Sequence, residues 1–145
     1  MPSNQAPPIP EAGITLLLPW LDSHLSPNAR PHKFQKARLI KQAKHDARMV
    51  VLEAISMRQA GDLPRTMPPP IKAQWIFVPP DKRKRDIDNL TSNAGCKAAV
   101  DACVMEGLLV DDNSEVLTWG EPEVWRSHPL FKGPGVVLLL DGVEA

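Results

Sequence analysis

Apolar positions along the chain fall into two patterns: short continuous runs bounded by proline, and longer stretches with helical spacing. Ile14–Leu18 is a short, mostly apolar run that stops at Pro19 and reads as a strand leading into a polar loop from Asp22 to Pro31. Residues 32–63 and 81–121 contain no proline, so regular helices fit there. At about 100° per residue, Leu39, Ile40, Ala43, Ala47, Val50 and Ala54 share an arc roughly 100° wide, which predicts an amphipathic helix from about Lys33 to Gln59. Gly61 stops it, and Pro68–Pro70 forms a stiff connector to a strand over Ile71–Val78. A second helix is predicted from about Ser92 to Glu106, with Gly107 past its end. Then come a turn at Asp111–Ser114, a strand over Glu115–Val124 and a nearly continuous apolar strand, Val136–Leu140, of the kind buried on both faces. The order β-α-β-α-β-β predicts an α+β fold, an α/β two-layer sandwich with one mixed sheet covered on one side by two helices.

The chain has 145 residues, 43% hydrophobic and 23% charged, which makes one domain the default and excludes wholesale disorder. Its apolar runs are too short to cross a bilayer. Residues 1–12 hold four of the 16 prolines and no basic residue, and read as a flexible tail rather than a secretory signal, leaving 13–145 as the domain. Cys96 and Cys103 have no C-x-x-C spacing and suit reduced thiols, which points to the cytoplasm. The formal charge is zero, with 17 basic and 17 acidic side chains. It is unevenly distributed: residues 1–100 hold 15 basic and 8 acidic groups, residues 101–145 hold 2 and 9. Lys33, Lys41, Lys44 and Arg48 occupy an arc of about 80° beside the apolar stripe of the first helix. That flank reads either as a solvated face or as a track for a polyanion.

Chemistry concentrates directly after the second strand, in Asp81-Lys82-Arg83-Lys84-Arg85-Asp86-Ile87-Asp88-Asn89-Leu90. In extended backbone, residues two apart point the same way, so Asp86 and Asp88 are expected side by side with Ile87 facing inward. Two such carboxylates repel unless a cation lies between them, and hard oxygen donors favour Mg²⁺, with Mn²⁺ as a substitute. Asp111-Asp112 is placed to fold back over the same strand end. Carboxylates beside a basic run meet the needs of metal-assisted phosphodiester hydrolysis. The same spacing also fits solvated turn acids capping the next helix, or a transferase that holds a metal-bound nucleotide sugar; 145 residues leave that transferase little room.

The ordered set Arg83-Lys84-Arg85-Asp86-Ile87-Asp88-Asn89-Leu90, Lys97-Ala98-Ala99-Val100-Asp101-Ala102 and Gly107-Leu108-Leu109-Val110-Asp111-Asp112 resembles the RusA family of Holliday junction resolvases. Ile14–Trp20, followed by Leu25-Ser26-Pro27-Asn28-Ala29-Arg30, is similar to that family's opening strand and loop. The resemblance implies a homodimeric, Mg²⁺-dependent endonuclease of DNA recombination and repair that resolves four-way junctions by paired nicks. It implies Asp86, Asp88 and Asp112 as catalytic metal carboxylates, Asp111 as a helper and Lys97 as a catalytic group that contacts phosphate or stabilises the transition state. Lys82, Arg83, Lys84, Arg85, Asn28 and Arg30 are the expected DNA contacts. The stretch Thr91–Cys96 departs from the pattern by lengthening the path from Leu90 to Lys97. An unbroken helix from Asp88 would place Lys97 on the opposite face, so either the helix starts near Ser92 or Asn93, or Lys97 is not catalytic. A catalytically silent junction-binding protein on the same fold is the alternative. His24, His32, His45 and His128 share no ligand spacing and read as surface or loop residues. Trp20, Trp119 and Trp125 fit core packing or stacking on bases.

Overall fold

The computed structural model describes residues 13–27, 29–130 and 132–142. The predicted tail, residues 1–12, and Asn28 lie outside them. The elements are β1 (Ile14–Leu18), α1 (Lys33–Ala60), β2 (Ile71–Val78), α2 (Ile87–Thr91), α3 (Ala94–Met105), β3 (Leu117–Trp119), β4 (Glu123–Val124) and β5 (Gly135–Gly142). The fold is α+β. Its one sheet runs β1-β5-β2-β3, with β4 continuing on β2 beyond β3. β5 is antiparallel to both β1 and β2, and β3 and β4 are parallel to β2, so the sheet is mixed.

Strand alternation explains the two layers. Leu16, Ala73, Trp75, Phe77, Val136, Leu138 and Leu140 project to one face and form the main core with Ala47, Val51 and Ile55 of α1 and Cys96, Ala99, Ala102 and Cys103 of α3. Ile76, Val78 and Val137 project to the opposite face, where Trp125 covers them. β5 is therefore buried on both sides, as its unbroken apolar run requires. Among the described residues, no helix is long and apolar enough to cross a membrane.

Several local expectations need correction. The strand predicted over Glu115–Val124 is two short pieces separated by Gly120-Glu121-Pro122. Pro122 has no N–H for the ladder, which resumes where Trp125 N–H donates to Phe77 O at 2.9 Å. The buried stripe of α1 is Ala47, Val51, Ile55 and Arg58, to one side of the predicted arc, because sheet and α3 approach it together. Gly61 ends α1, but the left-handed backbone falls on Asp62, at φ 63°. Asp is one of the few non-glycine residues that accept it. The second helix starts at Ala94, with the Asn93 side chain accepting from Gly95 N–H at 2.8 Å. Gly107, at φ 81°, ends it.

Candidate functional site

Central strand β2 delivers the basic loop. After Pro79-Pro80 the chain turns on Asp81, whose Oδ1 accepts from Arg83 N–H at 2.9 Å and meets Arg85 Nη2 at 2.9 Å. Arg85 Nη1 also donates to the Arg83 and Asp81 carbonyls, at 2.8 and 3.2 Å, and its guanidinium lies 5.5 Å from the centre of the Trp20 ring. The Arg83 N–H, followed by Arg85, holds the Asp81 carboxyl below its ordinary value, against an opposing desolvation effect. Arg85 is thus the staple of the loop rather than a projecting contact. The side chains of Lys82, Arg83 and Lys84 are exposed and, among the described residues, make no ion pair. Across a groove of about 490 Å³ they face Trp125 and Arg126. Sequence reasoning missed Arg126; the available signal was its being one of only two cations in the acidic last third of the chain.

Asp86 and Asp88 are not in extended strand. Asp86 is the N-cap of α2, its Oδ1 accepting from Asp88 N–H at 2.9 Å, and Asp88 sits in the first helical turn. Ile87, expected inward, is 36% exposed. The local reason is the strong preference of Asp for the N-cap, where its carboxylate satisfies a free helix N–H. Both carboxylates are exposed, and Asp86 keeps one oxygen without a hydrogen bond among the described residues.

The second acidic pair has a different setting. Asp111 folds onto its own loop, Oδ1 accepting from Asp112 N–H at 2.7 Å and Oδ2 from Asn113 Nδ2 at 3.1 Å. Asp112 lines a groove between α1 and α3 with Lys44, Arg48 and Asp101. Arg48, assigned to the basic flank, pairs with Glu106 at 2.8 Å and ties α1 to the end of α3. Among the described residues, no three His, Cys, Asp or Glu side chains gather closely enough to hold a metal ion. The expected convergence of Asp112 on Asp86 and Asp88 is therefore not formed as a three-carboxylate group. Asp86 and Asp88 still fit a hard divalent ion, because Mg²⁺ commonly takes one or two carboxylates and completes its shell with water and substrate phosphate.

Lys97 lies in the first turn of α3, 80% exposed, with Asp101 Oδ2 at 3.9 Å. The late helix start is the alternative realised. Lys97 lines a groove with Trp75, Trp119, Thr91 and Ser92, and none of Asp86, Asp88 and Asp112 lines that groove. Arg30 bends back to the carbonyls of Ala29 and Pro27, at 3.1 and 3.4 Å.

No protein-family model matches this chain, and no curated protein matches it. The remaining residues resolve by environment. Trp20 is partly buried against the core, Trp125 is 6% exposed, and Trp119 is 43% exposed. His24 pairs with Asp22 at 2.9 Å, and His32 accepts from Phe34 N–H at the start of α1. Of the two expectations for His128, surface or loop, the loop one holds: it lies between β4 and β5, is 8% exposed and stacked on Trp125, and desolvation lowers its pKa. Cys96 and Cys103 are free and buried, and desolvation pushes both thiols up to about 12. They are unreactive packing groups.

Proposed function

We propose that the chain is a Mg²⁺-dependent, structure-specific endodeoxyribonuclease of the RusA type that nicks four-way DNA junctions, working as a homodimer in recombination and repair. The observation that carries this reading is the joining of an exposed cationic loop, Lys82–Lys84 with Arg126 opposite, to the exposed carboxylates Asp86 and Asp88 at one end of the central strand. Cations on a short loop hold phosphates in place, and metal-assisted hydrolysis uses a hard metal ion within reach of them. A divalent ion bound there supplies water activation and offsets the charge that develops on the leaving oxygen. The chain's own groups do the rest. Asp86 and Asp88 hold the ion, Lys82, Arg83, Lys84 and Arg126 orient the backbone, and Arg85 keeps the loop in shape.

Asp112 enters this proposal through the resemblance alone, as a third metal carboxylate. Its present position in the α1–α3 groove favours a second reading, a junction-binding protein without cleavage. A synthetic four-way junction with Mg²⁺ separates the two. Cleavage by the wild type, its loss in Asp88→Asn and a retained gel shift support the nuclease. Binding without cleavage at any Mg²⁺ or Mn²⁺ concentration establishes the silent protein, and retained cleavage in Asp88→Asn overturns the site.

A further inference from the structure

Trp119 stands out because its ring is flat, exposed and already aligned. It belongs to β3, which among the described residues pairs only with β2 and forms one edge of the sheet. Its register partner is Ala73, so its side chain shares the helix-covered face with Trp75 and Phe77. Trp119 stacks on Trp75 with ring centres 5.7 Å apart and planes 13° from parallel, and Trp75 stacks on Phe77 at 6.1 Å and 22°. Trp75 is 6% exposed and Phe77 is fully buried, whereas Trp119 is 43% exposed. The three rings form a ladder anchored in the core, with its last rung at the surface.

Chemistry around that rung is not that of a core. A groove of about 390 Å³ runs beside it, bordered by Lys97 on α3 and by Thr91 and Ser92 at the α2–α3 junction. The Lys97 side chain is 80% exposed, held only loosely by Asp101 at 3.9 Å. A flat aromatic face, an adjacent cation and neighbouring hydroxyls are the parts that single-strand binders combine, the ring taking a base and the cation its phosphate. A base inside a duplex has both faces covered by its neighbours and cannot stack there.

We propose that Trp119 and Lys97 form a subsite for one unpaired nucleotide, the base stacking on Trp119 and the phosphate meeting Lys97. The inference rests on the reading of the chain as a DNA-binding nuclease and deepens it: the preferred substrate carries an unpaired base, as at a branch point or in a single strand. It also gives Lys97 a role in positioning nucleic acid, apart from the acids.

The test is fluorescence anisotropy in EDTA, which removes metal and cleavage from the measurement, using a short fluorescein-labelled oligothymidylate and a fully paired duplex as probes. Trp119→Leu keeps apolar cover over Trp75 but removes the flat ring, and Trp119→Phe restores a ring; thermal unfolding confirms that both are folded. The expected result is that Trp119→Leu weakens oligothymidylate binding by between about fivefold and a hundredfold, with Trp119→Phe close to wild type and duplex binding unchanged in both. Lys97→Ala is expected to weaken oligothymidylate binding and reduce its salt dependence. If the wild type binds both probes but Trp119→Leu binds oligothymidylate as the wild type does, the subsite is overturned and the nuclease reading stands. Equal losses on both probes overturn it too. If the wild type binds neither probe nor a four-way junction, both readings fall.

Discussion

Two acidic pairs that look alike in the sequence have different fates in the fold. Asp86 and Asp88 open a helix, with one Asp86 oxygen engaged by a backbone N–H and a row of exposed cations beside them in the chain. Asp111 and Asp112 occupy a turn in which both Asp111 oxygens are engaged locally and Asp112 faces the basic flank of α1. The first pair is available to a ligand, and half of the second is already structural. An acid's availability depends on which backbone and side-chain donors its own loop presents, and residue spacing does not report this.

The largest expected effect breaks that symmetry directly. Asp88→Asn is expected to lower junction cleavage by about a hundredfold or more, since a metal ligand should count at least as much as an outer-shell partner. Asp111→Asn should leave the cleavage rate within about a factor of two, given the locally satisfied carboxylate. Equal losses in single-turnover assays would mean that the two pairs are not different in kind. Next come the cations. Replacing Lys82, Arg83 and Lys84 with Ala should reduce the slope of log K against log salt by about 2 to 3 on duplex arms. Arg85→Ala should mainly lower thermal stability, because Arg85 staples the loop to Asp81 and Trp20.

A smaller effect compares the two carboxylates as structural groups. Asp86→Ala and Asp111→Ala should each cost about 1 kcal/mol in urea unfolding, one as a lost N-cap and the other as a lost turn bond. The smallest lies away from both pairs. Burial lowers the His128 pKa from 6.5, so folding favours its neutral form. Its contribution to stability is complete above about pH 6.5 and is lost as the pH falls toward the folded value. The urea midpoint should therefore drop between about pH 7.5 and about pH 5 by more in the wild type than in His128→Gln.

Strands β1, β2 and β5 and helix α1 were legible from periodicity because each buries a continuous face of apolar residues against the sheet or helix layer. The strand over Glu115–Val124 was misread because edge pieces are defined by what β2 offers them rather than by their own pattern. Asp86-Ile87-Asp88 was read as strand because alternation looks the same whether or not Asp86 turns to cap a helix. Of the candidate site, Lys82, Arg83 and Lys84 are exposed, whereas Arg85 and Arg48 proved to be tied to Asp81 and Glu106. Arg126 could not be linked to the basic loop from sequence, since the two meet across the end of the sheet.

By itself, then, the sequence determined the α+β class, the two helices of the cover and the segment in which cations and carboxylates adjoin. These are local properties, written in periodicity and composition. Only the tertiary structure decided which charges are free, that Asp112 stands in a groove with Lys44 and Arg48, and that Trp119 caps a ladder of rings beside Lys97. Those depend on groups far apart in the chain being brought within a few ångströms, and at that range hydrogen bonds and ion pairs decide which side chains remain available.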